Sequence, residues 1–318
     1  MRVLNDKLKG DKESTELGLL AVVSQSLFCA LGMSTVLMGP LPMIHSHLRM
    51  TEPWPKITAL LGAVVAMMFL EVPVFPVVVS FVVGLYLANG AYQRTPLFRL
   101  LLGALVVGGG VGLLGWIGAS YAHHLSLGEY WRQFVDGLIV FLQENFQTGL
   151  PIAEGDGKWA SVRDMLYYQG PFFYLSAILI SCWLSLGLAA HIGWWNEKHP
   201  YSSRGLRAIE PSKGLSVAFS MLFLGDLFID SLAGYVWGGG FRLVTLFVFV
   251  QGCLALSRLM QLKQFRPFVR AIIYSLFIVV GFYALVGIGW AYPFFSRNFK
   301  NQRKVAMPLR PSQMEEVL

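Results

Sequence analysis

The sequence predicts an all-α, polytopic transmembrane helical bundle with about eight to nine membrane segments, and three observations carry that prediction. Of its 318 residues 55% are hydrophobic and only 14% charged, whereas a soluble domain carries roughly 25% charged residues. Uncharged apolar stretches recur from Gly18 to Phe295. The 25 Lys and Arg fall in short connections and termini, as the loops of a membrane protein require. With mean hydropathy +0.57 and net charge +7, the chain is neither a soluble enzyme nor a disordered protein. Nor is it a nucleic-acid-binding domain, whose basic charge would gather on one face.

A hydrocarbon core about 30 Å thick needs about 20 helical residues at 1.5 Å each. Helices are the default because each satisfies its own backbone hydrogen bonds. Residues 1–16 read as a polar cytoplasmic tail, with Arg2, Lys7, Lys9 and Lys12 among acids. The apolar run behind it is too long for a signal-peptide core and lacks an Ala-x-Ala-like end, so it opens the transmembrane domain, 17–295, as a retained helix at 17–37. Uncharged runs at 72–89, 100–122, 171–195 and 271–295 are long enough to cross. Shorter runs at 57–70, 214–225 and 243–257 are bounded by Glu71, Asp226, and Arg242 with Arg258.

The stretch near 38–50 reads as a short Pro-broken helix that crosses, or as an outside loop. If it crosses, the N-terminal tail, 49–56, 90–99, 196–213 and 258–270 share one side and hold 16 of the 25 Lys and Arg. If it does not, the two sides hold 13 and 12. The positive-inside rule favours the crossing, with the N-terminus cytoplasmic. The side of the basic C-terminal tail, 296–318, stays open.

Between 123 and 170 lies an extramembrane amphipathic insert, acidic in balance, which suits the outer face. Ser126-Leu-Gly-Glu129 reads as a capping box. Leu127, Trp131, Phe134, Leu138, Phe141 and Phe146 then recur at helical spacing until Gly149-Leu-Pro151. A second short amphipathic piece covers 158–168. Interfacial packing and a lid over a cavity are the two readings of this insert. Trp54, Trp194, Trp195, Trp290 and Tyr292 at segment ends fit an aromatic belt.

Several motifs fail their chemical readings. Gly110-Val-Gly112-Leu-Leu-Gly115 matches GxGxxG but sits inside an apolar run, where a dinucleotide loop needs a strand before it. Gly108, Gly112, Gly115 and Ala119 instead give the small-residue spacing that brings helices close. Ser26, Ala30 and Ser34 form a similar stripe, for internal packing or for docking a partner subunit. Gly157-Lys158 lacks the Ser or Thr of a phosphate loop, so any ATP dependence comes from another polypeptide. Cys29, Cys182 and Cys253 are dispersed in apolar runs and read as buried thiols, with no zinc set or disulfide framework. No HExxH is present, and neither metal nor cofactor is expected.

The polar groups at membrane depth are the candidate contact residues for a ligand: Gln25, His45, His47, Glu71, Asp226 and Asp230. His45 and His47 point apart on a helix and converge only in an irregular stretch. Asp226 and Asp230 stand four apart, on one helical face. Glu71 reads first as a turn residue beside Pro73. Gln25 and Gln251 either bond a neighbouring helix or line a cavity. No nucleophile and base stand at a usable spacing, and Gly225-Asp226 falls short of an intramembrane aspartyl protease pattern, so no catalytic residue is assigned.

Two regions together carry a family resemblance. One is helix 17–37 followed by GPLPMIHSHLR, KITALLGAVVAMMFLE and VPVFPVVVSFVVGLYL. The other is LVTLFVFVQGCLALSRLMQ, a basic link, an apolar helix and AYPFFSRNFKNQRK. This pattern, with its Pro-Leu-Pro turn, Gln251-Gly252 pair and aromatic-then-Arg ending, resembles the YybS-like bacterial integral membrane family, a domain of unknown function. That family is similar to the substrate-binding S components of energy-coupling-factor transporters. The docking stripe of S components is matched here only by Ser26-xxx-Ala30-xxx-Ser34. The resemblance implies a multi-pass protein of the bacterial cytoplasmic (inner) membrane whose first six helices enclose a small-molecule pocket.

The expected function is therefore a transport-related, substrate-binding subunit without its own ATPase. Its expected partners are the lipid bilayer, an energising membrane subunit with ATPases, and a small molecule of unknown identity, but no nucleic acid. The alternative is a structural or assembly protein that scaffolds other proteins. An intramembrane hydrolase or a proton-coupled carrier ranks last.

Overall fold

The computed structural model describes residues 14–34, 39–50, 53–70, 73–146, 156–195, 199–202, 205–206, 209, 212–229, 232–263, 265, 268–269, 272–273, 276 and 281–306. Among them are ten α-helices and no strand: α1 (Ser14–Ser34), α2 (Pro40–Arg49), α3 (Trp54–Phe69), α4 (Val74–Tyr92), α5 (Leu97–Ala122), α6 (Leu127–Phe146), α7 (Asp156–Ile192), α8 (Lys213–Phe228), α9 (Leu232–Leu262) and α10 (Phe282–Ala306). Four helical stretches are long and apolar enough to cross a bilayer: Val74–Tyr92, Leu97–Ala122, Trp159–Ile192 and Trp237–Met260. Leu102, Val106 and Leu114 are exposed apolar side chains on one such helix, a surface that lipid solvates and water does not. The fold is all-helical and its four apolar helices are consistent with a membrane-embedded protein.

The chain divides into two compact units, Met1–Leu206 and Arg207–Leu318. In the first, α1 packs on α3, α2 on α4, α4 on α5 and α5 on α7. The α1–α3 contact is close because Gly62 has no side chain. A Cβ there would lie 2.8 Å from the Ser26 carbonyl oxygen and against Cys29. Ser26 and Ala30 are buried in this contact, so that part of the small-residue stripe is covered by the chain itself.

Pro40 and Pro42 do not break α2. Both stand in its first turn, where a helix has no use for the missing amide. The ten residues rise about 15 Å, half the thickness of a hydrocarbon core. Pro40 through Ile44 are buried, so α2 is an element wrapped by the helices around it.

Helix α7 joins two segments that the sequence reading keeps apart, 158–168 and 171–195. Pro171 sits inside it and removes the amide that would bond the Tyr167 carbonyl four residues back. The Trp131 indole N–H, from α6, donates to that carbonyl at 2.8 Å. Gly170 leaves the room, since a Cβ there would overlap the Trp131 ring. With its proline-freed acceptor satisfied from outside, the helix runs on for 37 residues, about 55 Å, so part of it projects beyond any bilayer core. The capping box holds at the start of α6. Glu129 N–H donates to Ser126 Oγ at 3.3 Å and Ser126 N–H donates to Glu129 Oε2 at 3.0 Å.

The second unit uses the same device. Pro293 lies inside α10 and frees the Gly289 carbonyl. The buried Gln251 side chain of α9 donates to that carbonyl through Nε2 at 2.7 Å. Its Oε1 accepts from Ser212 N–H at 2.8 Å, and the Ser212 hydroxyl in turn caps α8 by accepting from Leu215 N–H. Helices α9 and α10 meet at glycine: a Cβ on Gly252 would overlap the Leu285 carbonyl, and one on Gly289 the Val248 carbonyl.

Boundaries differ from the sequence reading in this unit. Helix α9 begins eleven residues before Leu243 and contains Arg242. Helix α10 continues past Phe295 to Ala306, into the stretch read as a basic tail.

Candidate functional site

Among the described residues, the polar groups singled out from sequence do not all gather at one place. Gln25 and His45 do meet, where α1 crosses α2. Gln25 Nε2 donates to the Pro42 carbonyl at 2.9 Å. A carbonyl only accepts, so the amide is oriented and its Oε1 faces His45 Nδ1 at 2.8 Å. His45 therefore carries its proton on Nδ1 and, when neutral, a lone pair on Nε2. Trp194 lies 4.6 Å from its ring centroid and the Phe28 ring meets it edge-on at 5.8 Å. His47 faces elsewhere, with Nδ1 3.2 Å from the Met43 carbonyl oxygen. Because α2 is regular, the two histidines do not share a site.

Helix α8 ends at Phe228 and Ile229 is extended. Asp226 is exposed at the end of α8, with Gly238 of α9 beside it. Glu71 and Asp230 lie outside the described residues, as does the side chain of Ser34. Gly108, Gly112 and Gly115 are approached by Ile178, Tyr174 and Phe75 respectively, and Ala119 is half-buried on the same helix. No group of three or more His, Cys, Asp or Glu able to hold a metal ion forms among the described residues.

What the fold does build in the first unit is a cavity of about 170 Å³ between α4 and α7, with Pro40 of α2 at its edge. Phe75, Val79, Val83 and Ile178 make its walls almost wholly apolar. Ser80 from α4, and Tyr174 and Ser181 from α7, supply its polar groups. The Tyr174 hydroxyl donates to the Gly108 carbonyl at 2.9 Å. None of Gln25, His45, His47 or Asp226 lines this space. Its serines were readable only as lone hydroxyls within uncharged runs, a signal too common in membrane helices to single them out.

Comparison with known proteins finds no matching family model, no matching curated protein and no matching solved structure. The chemistry of the chain is therefore read from its own geometry.

A second polar cluster ties the residues after α7 to the turn between α4 and α5. The Tyr201 hydroxyl donates to the Thr95 carbonyl. Tyr201 N–H donates to His199 Nδ1 at 3.2 Å, and Trp195 stacks on the His199 ring at 4.4 Å. Burial, and after it the nearby Arg94, holds His199 below the ordinary histidine range. Burial pushes the Tyr201 hydroxyl up. This cluster anchors a loop, and the space between α4 and α7 is the candidate site.

Proposed function

We propose that this chain binds a small molecule within its first unit and serves transport across the bacterial cytoplasmic membrane. In this reading it is a multi-pass protein of eight or nine segments, according to whether α2 completes a crossing, and it lacks an ATPase of its own. It acts as a substrate-binding subunit similar to the S component of an energy-coupling-factor transporter, beside an energising membrane subunit with ATPases. The observation that carries the binding role is the cavity between α4 and α7, edged by a ten-residue buried helix. A short helix amid long ones leaves space at membrane depth, and such backbone is tolerated where it lines protein or a cavity.

Ligand-dependent thermal stabilisation tests it. Full-length protein in detergent is screened against uncharged vitamins, nucleobases and small aromatic compounds; a ligand at 100 times its Kd stabilises by about 2.7 kcal/mol. Absence of saturable stabilisation by every compound refutes the binding role. A second reading, a scaffold for other membrane proteins, is favoured by Gln25 and Gln251, whose amides are engaged inside the chain. Affinity capture separates the two: a stoichiometric complex without any ATPase or coupling subunit supports the scaffold.

A further inference from the structure

We propose that the cavity between α4 and α7 takes a small uncharged molecule bearing one hydrogen-bonding group on an apolar ring, of the phenol or cyclic-alcohol class. The proposal rests on the ligand-binding reading above and names the class of molecule.

Three observations define that class. The first is size: the space is about 170 Å³, and a cavity of roughly 150 Å³ holds one benzene ring. One ring with a small substituent fits within it. The second is charge. No Asp, Glu, Lys, Arg or His lines the cavity, so an ion entering it would lose its hydration without a partner.

The third observation is a pair of hydroxyls. Ser80 and Ser181 line the cavity from α4 and α7 at 8% and 5% exposure, and neither hydroxyl has a hydrogen-bond partner among the described residues. Of the other buried serines of this unit, Ser26 bonds the Val22 carbonyl and Ser46 the Met43 carbonyl of their own helices, whereas Ser185, fully buried on α7, also has no partner for its hydroxyl but does not line the cavity. Ser80 and Ser181 keep both donor and acceptor capacity toward the cavity. Tyr174 has committed its proton to Gly108, so it offers only an acceptor. The matching ligand group is one that both donates and accepts, which a hydroxyl does. Gly39 fits the same design: a Cβ there would lie 2.8 Å from Ser80 Oγ, so the bare glycine lets the chain entering α2 close over that serine.

The test uses fluorine NMR on the full-length protein in detergent with three probes: 4-fluorophenol, fluorobenzene and 4-fluorobenzoate. Ala177→Leu, which fills the cavity, subtracts partition into micelles. The expected result is saturable binding of 4-fluorophenol that A177L abolishes and that S80A and S181A each weaken about fivefold, the worth of one net hydrogen bond. Fluorobenzene binds more weakly and ignores both serines. Equal binding of fluorobenzene and 4-fluorophenol, unchanged by either serine substitution, overturns the class while leaving a binding cavity. Preference for 4-fluorobenzoate overturns it as well. If no probe binds saturably to the wild type, the ligand-binding reading falls with it. Should A177L fail to fold, the loss of phenol-over-benzene preference in the S80A/S181A double variant still decides the class.

Discussion

Gln251→Leu is the most informative single substitution in the second unit, because it reports on a bond that a proline makes necessary. The side chain is 1% exposed and links the N-cap of α8 to the Gly289 carbonyl of α10. Leucine preserves the volume and leaves that carbonyl buried with no donor, since Pro293 has none to give. An orphaned buried group costs about 1–3 kcal/mol and the lost Ser212 bond about 1 kcal/mol more, so Q251L destabilises by roughly 2–4 kcal/mol.

Pro293→Ala restores an amide four residues beyond Gly289. The cost of Q251L in that background is smaller by about 1 kcal/mol, near the middle of the range for hydrogen bonds between membrane helices. The assay is reversible denaturant unfolding in mixed micelles, read by tryptophan fluorescence. Trp237 and Trp290 report on this unit, as their indoles bond the Leu222 carbonyl and the Ser220 hydroxyl. If Q251L costs the same in both backgrounds, within the roughly 0.3–0.5 kcal/mol scatter of independent sites, Gln251 does not serve the carbonyl that Pro293 frees, and the reasoning fails.

Three further outcomes follow from the geometry. Trp131→Phe keeps the ring but orphans the Tyr167 carbonyl, costing about 1–3 kcal/mol, and limited proteolysis then cuts the region of α6 faster. Gly252→Ala pushes a methyl into the Leu285 carbonyl and destabilises by about 1–3 kcal/mol, whereas Gly110→Ala, with open space at its Cβ position, is neutral or stabilising by thermal melt. His199 is held below its ordinary value of 6.5, so the unfolded chain takes up its proton first. Its contribution is present in full above about pH 6.5 and is lost as pH falls below that value towards the depressed folded value. A pH series of melting temperatures shows that loss, and His199→Asn flattens it.

The features legible in the sequence are those whose cause is local. The capping box at Ser126 and Glu129 is read correctly because both partners lie within one turn. Apolar runs give the helices, and Gly108, Gly112 and Gly115 announce close approach by their spacing. Helix ends are not legible where a distant residue intervenes. Pro171 reads as a boundary because its effect on Tyr167 is local, while the remedy comes from Trp131, 36 residues away in the chain.

Composition by itself pointed to helices in an apolar surrounding, since so little charge cannot clothe a chain in water and the uncharged runs are of helix-spanning length. It also marked the polar residues that a membrane interior must accommodate. Only the tertiary structure decided what each of those residues is for. Gln25 and Gln251 are engaged by carbonyls on other helices, while Ser80 and Ser181 are left facing a cavity without partners. A side chain's hydrogen-bonding capacity is fixed by its type, but whether that capacity is spent depends on which groups the fold carries within 3 Å of it.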